Sequence, residues 1–194
     1  MTTLKEKLFE KIETWRPRTK SLIKDYGDIV VDNITISQII GGMRGVKSLV
    51  TDISYLDPNE GIRYRGYTLP EVFKKLPKPK DSEIPYVEGL FHLLLTGDIP
   101  TDEEVNDLVD EFSKRRIVPR YIYEVIDSFP CCSHPMTVFS TAVATLNRES
   151  FFTKKYNAGI NKLDYWNPTY EDALNLLAKL PEIASYIYNK LYRD

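Results

Sequence analysis

The chain holds two histidines and two cysteines, so few side chains are suited to nucleophilic or metal chemistry. His92 stands in Phe91-His92-Leu93-Leu94-Leu95, an apolar run in which a core imidazole satisfied by one hydrogen bond is favoured over a catalytic one. His134 lies in Cys132-Ser133-His134-Pro135-Met136, at a helix entrance where the ring could cap backbone groups. Cys131 and Cys132 are adjacent, which opposes an ordinary disulfide, and two sulfurs are too few for a metal cluster. They read as reduced thiols. Closeness in sequence to His134 does not make a Cys–His nucleophile pair, because such pairs meet in the fold. Asp102, Glu103, Glu104, Asp107, Asp110 and Glu111 fall on one helix and read as a solvated face, its early acids complementing the helix dipole. No phosphate-cradling glycine loop, zinc-ligand spacing or nucleophile elbow occurs, and no metal site is expected. Two basic spots could meet phosphate. Arg44 is flanked by glycines that let backbone approach a ligand, and Lys154, Lys155 and Lys162 share a loop-like stretch.

The whole composition is that of a globular chain. Its 194 residues carry a net charge of -2, which argues against a nucleic-acid partner. No apolar run approaches the roughly 20 residues of a membrane span, so no membrane association is expected. Met1 to Lys20 contains Glu6, Glu10 and Glu13 and resembles neither a transit peptide nor a secretory signal. Cytoplasm is therefore the expected compartment, with a processed mitochondrial matrix protein as the alternative.

The elements that must position these residues are mainly helical. Leu4, Leu8, Phe9, Ile12 and Trp15 predict an amphipathic helix over 4–26, interrupted or kinked near Pro17. Asp28 to Ser37 alternates as a short hairpin would. Asp57-Pro58-Asn59-Glu60-Gly61 is turn chemistry before a returning strand over 62–67. Helices are predicted over 69–76, 84–96, 101–116, 119–129, 135–146, 169–180 and 181–192, with Thr101 and Glu104 forming a capping box. The fold class is all-α with a small β-hairpin element near residues 28–67. Ile187, Leu191 and Tyr192 make the last helix apolar enough to require a partner surface.

Several phrases give the chain a family resemblance. They are Gly41-Gly42-Met43-Arg44-Gly45, Leu56 through Tyr67, Glu88-Gly89-Leu90-Phe91, Leu95 through Thr101, His134-Pro135-Met136, Tyr170-Glu171-Asp172 and Leu177 through Pro181. In this order they resemble citrate synthase of the mitochondrial type, over nearly the whole chain. The resemblance implies a large helical domain that forms a homodimer through packed helices, and a smaller domain closing over substrates. Residues 1–194 correspond to the amino-terminal part of the large domain, with the small domain and catalytic segment outside this sequence.

The implied reaction is a condensation of acetyl-CoA with oxaloacetate to citrate and CoA, without a permanently bound cofactor. It needs a carboxylate base, a neutral histidine at the enol, a ketone-polarising histidine and arginines for the carboxylates. In the family these lie in the second half, so no catalytic residue is assigned here and the chain alone is expected to be inactive. His92 stands where relatives often have tryptophan. Arg44 matches an arginine near the CoA nucleotide, and Lys162 falls where relatives often carry an arginine reaching a CoA phosphate from the partner subunit. A lysine there keeps the charge and loses the planar fork. Partners in the complete enzyme are acetyl-CoA, oxaloacetate, a second copy and the missing carboxy-terminal half. The alternatives are a non-catalytic assembly or binding module, or part of a 2-methylcitrate synthase using propionyl-CoA.

Overall fold

The computed structural model describes residues 3–47 and 49–193. The chain divides into two compact units, 1–106 and 107–194.

The first unit opens with α1 (Leu4–Tyr26) and α2 (Ile36–Ile40), followed by strands β1 (Ser54–Asp57), β2 (Gly61–Tyr64) and β3 (Tyr67–Thr68). Helices α3 (Leu69–Lys75) and α4 (Val87–Thr96) come next, and the boundary between units falls inside α5 (Asp102–Arg115). Four threonines set the helix starts. Thr3, Thr35, Thr68 and Thr101 each accept the backbone N–H three residues on, while Glu6, Gln38, Glu71 and Glu104 reach back to the threonine N–H. These reciprocal bonds satisfy donors that a bare helix start leaves open. Lys7 pairs with Glu104, and Lys11 bonds Asp98 at 2.8 Å, tying α1 to the loop after α4 and to the start of α5. Val72, Leu76 and Leu93 form a core against which Tyr64, Tyr67, Leu90 and Ile99 pack.

The sheet is antiparallel, ordered β1-β2-β3, with Leu56 opposite Ile62 and Tyr64 opposite Tyr67. Its place corrects one expectation. Residues 28–37 form no hairpin; Ile29 to Thr35 is irregular backbone leading into α2. Val30 and Val31 are 78% and 71% exposed, so β-branched residues there find neither a neighbouring strand nor a core, and a two-stranded ribbon without such support is barely stable. The turn predicted over 57–61 is present, but the strand expected over 62–67 ends at Tyr64, where Arg65 and Gly66, both at positive φ, turn the chain back into β3. Asp57 Oδ1 accepts the N–H groups of Asn59 and Glu60 at 2.8 and 2.9 Å, and these bonds hold its carboxyl below the usual range.

The second unit contains the rest of α5, then α6 (Arg120–Asp127), α7 (Pro135–Thr145), α8 (Phe151–Asn157) and α9 (Trp166–Tyr192). Its core joins Val118, Ile122 and Ile126 to Val138, Ala142, Ile183 and Ile187. The two helices expected over 169–180 and 181–192 are one. Pro181 lies inside α9, and burial of Leu174 before it and Ile183 and Ile187 after it holds one continuous helix despite the missing N–H. Pro17 likewise lies within α1 rather than dividing it. The last helix covers its own Ile187, while Tyr188 and Tyr192 remain exposed with ring centroids 5.3 Å apart.

Candidate functional site

The two basic residues singled out in the sequence stand on similar local scaffolds, one in each unit. Helix α2 ends with Gly42 at φ 75°; Met43 N–H donates to Gln38 O at 2.7 Å and Gly42 N–H to Ile39 O at 3.2 Å. This is a Schellman closure, which consumes the open carbonyls of the last helical turn. A second turn follows at once, Val46 N–H donating to Met43 O at 3.2 Å, with Arg44 and Gly45 at its corners. Gly45 has φ 74°, the value its turn position demands, and no atom lies within 4 Å of where a Cβ would stand. Met43 also has a positive φ of 60°, costly for a side-chain-bearing residue. The exposed Arg44 is thus carried on a short, internally bonded loop.

Helix α8 closes the same way. Ile160 N–H donates to Lys155 O at 3.1 Å and Gly159, at φ 78°, donates to Tyr156 O at 3.0 Å. Asn161 Oδ1 then accepts Leu163 N–H at 2.9 Å and starts a single 3₁₀ turn, Lys162–Asp164, on which Lys162 is exposed. Lys154 and Lys155 do not share a loop with it, contrary to expectation: they are helical residues of α8. Ser150 caps that helix locally, its Oγ accepting Thr153 N–H at 3.0 Å, and Asp172 of α9 adds a second cap. Its carboxylate accepts Ser150 Oγ at 2.6 Å and the N–H groups of Phe151 and Phe152 at 2.7 and 3.0 Å. A cap supplied from another helix has no signature in the local sequence.

Each histidine has a structural place in its own unit. His92 is 1% exposed, with Nδ1 3.3 Å from Asp98 O, and Thr96 Oγ packs beside the ring while donating to His92 O at 2.9 Å. Its Nε2 has no hydrogen-bond partner among the described residues. Burial pushes the imidazolium pKa down, against the opposing pull of the Glu104 charge. The reading of a core imidazole holds, although Nδ1 has two neighbours at 3.3 Å, Asp98 O and Thr96 Oγ, rather than one. His134 is the N-cap of α7, its Nδ1 accepting Met136 N–H at 3.2 Å, and Pro135 fills the first helical position. Glu104 and Glu111 depart from the expected solvated face: the first pairs with Lys7, the second with Arg115 at 2.6 Å. Among the described residues no group of three or more His, Cys, Asp or Glu side chains could hold a metal ion, and no helix is long and apolar enough to cross a membrane.

One arginine with a structural task escaped the sequence reading. Arg65 and Gly66 form the two-residue turn between β2 and β3, both at positive φ (49° and 86°), the backbone of a type I′ hairpin. The guanidinium turns onto the end of α4, donating to Leu94 O at 3.0 and 2.6 Å and to Leu95 O at 3.3 Å, and it pairs with Asp52 at 2.9 Å. These bonds hold the sheet to α4.

Comparison with known proteins bears directly on these phrases. The family profile described as "Citrate synthase, C-terminal domain" matches residues 42–194. This chain belongs to the citrate synthase family. A mitochondrial citrate synthase of Aspergillus niger is 48% identical over 192 residues, covering 99% of this chain and 40% of that protein. Another, from Kajikia audax, is 46% identical over 193 residues and is covered to 41%. The chain therefore spans about two fifths of the length of these relatives. Among solved structures, the citrate synthase of Pyrobaculum aerophilum superimposes with a TM-score of 0.65 at 26% identity, over 84% of this chain and 40% of that one. A Thermoplasma acidophilum citrate synthase, solved with carboxymethyl coenzyme A and oxaloacetate, gives 0.61 at 20% identity over 83% of this chain and 37% of its own, a likeness of fold. The helical fold with its small sheet is that of the family.

Proposed function

We propose that this chain is part of a citrate synthase that condenses acetyl-CoA with oxaloacetate to give citrate and CoA, and that it contributes helical scaffold and coenzyme contacts. The observation that carries this reading is the 48% identity to a mitochondrial citrate synthase across 99% of the chain. Residues 1–194 then correspond to the amino-terminal part of the large domain. The names of the relatives favour the mitochondrial matrix as the compartment. Exposed Met136 on α7 and Tyr188 and Tyr192 on α9 support a helix-packed homodimer.

Within this assignment Arg44 and Lys162 are the CoA contacts. Each is an exposed cation on a turn closed by its own backbone bonds, so little ordering entropy is lost when a phosphate arrives. The condensing groups are not assigned to this chain. Enolisation requires a base beside the acetyl methyl and a neutral imidazole at the enol oxygen. His92 is enclosed by its own unit and His134 is committed to a helix cap, which leaves neither for that task.

The test is CoA-thiol release from acetyl-CoA and oxaloacetate. The 194-residue chain alone should give no release above a heat-killed control. Mixed with the portion of the Aspergillus niger enzyme that it does not match, it should form citrate. Citrate formation by the chain alone, or none in the mixture despite a stable complex, overturns the reading.

A further inference from the structure

Cys131 and Cys132 are the only cysteines in the sequence, and both are free and exposed. They occupy the two corners of a turn closed by Ser133 N–H donating to Pro130 O at 3.0 Å. Both flanks of that turn are anchored. Phe129 packs on the core of the second unit and donates its N–H to Ile126 O at 3.2 Å. On the other side His134 caps α7. The turn thus carries two exposed thiols on consecutive residues.

Adjacent thiols suit a different chemistry from that of a disulfide. Cα atoms joined by a trans peptide stand about 3.8 Å apart, whereas disulfides usually span about 4.4–6.8 Å, so direct S–S closure across one peptide strains the backbone. A larger soft atom placed between the sulfurs accepts a wider S···S separation than the roughly 2.05 Å of a sulfur–sulfur bond. Metal ions that take four ligands find only two sulfurs here, and among the described residues no third His, Cys, Asp or Glu completes a set. An arsenic(III) atom already bonded to one carbon needs two more bonds, the number that two thiols supply.

We infer that Cys131 and Cys132 form a chelating dithiol site for monosubstituted trivalent arsenicals. In the reaction R–As=O plus two thiols gives R–As(S)₂ plus water. Two S–H bonds and the arsenic–oxygen bonding are lost, two As–S bonds form, the two protons leave with the oxygen, and no oxidation state changes. The second As–S bond closes intramolecularly, so the pair should hold arsenic far more tightly than one thiol does.

The probe is phenylarsine oxide, added to the reduced 194-residue chain and followed by intact-mass spectrometry and maleimide labelling. One phenylarsenic adduct per chain is expected, with both cysteines protected from maleimide. A dithiol such as 2,3-dimercaptopropanol should release it, and an equal thiol concentration of 2-mercaptoethanol should not. Cys131→Ser and Cys132→Ser, each at an exposed corner and checked for native circular dichroism, should each lose affinity by at least about tenfold. Two independent adducts per chain, unhindered maleimide labelling, or serine variants that bind as tightly as the original chain overturn the site.

Discussion

The Arg65 guanidinium donates two hydrogen bonds to one carbonyl oxygen, that of Leu94, and so joins the β2–β3 turn to the C-terminal end of α4. The contact places a cation on carbonyls that the helix leaves without donors. Gly97, at φ 82°, ends α4 by donating to Leu93 O at 2.8 Å, so backbone and side chain together complete that terminus.

Arg65→Asn tests the side chain separately from the turn. Asparagine tolerates the left-handed backbone and suits a type I′ corner, so the hairpin should survive while α4 loses its external donor. Stability in urea should fall by about 1–3 kcal/mol. An unchanged midpoint and slope would show that water replaces the guanidinium at no cost.

Asp172→Ala should unfasten α8 from α9. Three donors, including two backbone N–H groups at the start of α8, lose their acceptor, a cap loss worth about 1–2 kcal/mol. Hydrogen exchange should accelerate at Phe151 and Phe152, with α6 and α7 amides much less affected. Equal acceleration throughout the second unit would refute a local role.

His92 should give stability a pH dependence. Its pKa is lowered in the folded state by burial, so the unfolded chain binds the proton more readily. Its contribution is complete above the unfolded value near 6.5 and is lost as pH falls from there through the folded pKa. The thermal midpoint should therefore drop between about pH 7 and pH 5 more in the original chain than in His92→Phe. Parallel midpoint curves for the two proteins would exclude His92 as the source.

The coenzyme contacts are tested in the reconstituted enzyme. Arg44→Ala should raise the KM for acetyl-CoA by about fivefold while leaving kcat near its original value, since the arginine meets the coenzyme rather than the reacting carbons. Lys162→Arg should lower that KM, because the planar fork can bind phosphate through two parallel bonds. If both constants stay fixed in both variants, the two residues lie outside the coenzyme site.

Local chemistry made much of this protein legible. A threonine with glutamate or glutamine three residues on marks four helix starts, at Thr3, Thr35, Thr68 and Thr101. Turn residues located the bend at 57–61, and apolar neighbours identified His92 as a core residue. These features depend on residues a few positions apart, which interact whatever the rest of the chain does. Tertiary structure decided the others. Alternating β-branched residues at 29–36 suggested strands, but a strand needs a pairing edge, and the sheet formed at 54–68 instead. Pro181 suggested a break, yet core burial of Leu174, Ile183 and Ile187 holds α9 continuous through it. The start of α8 takes, beyond its local Ser150 cap, a carboxylate about twenty residues away, and Arg65 finds Leu94 twenty-nine positions on. Such partners are chosen by folding into contact, and spacing along the chain carries no record of that choice.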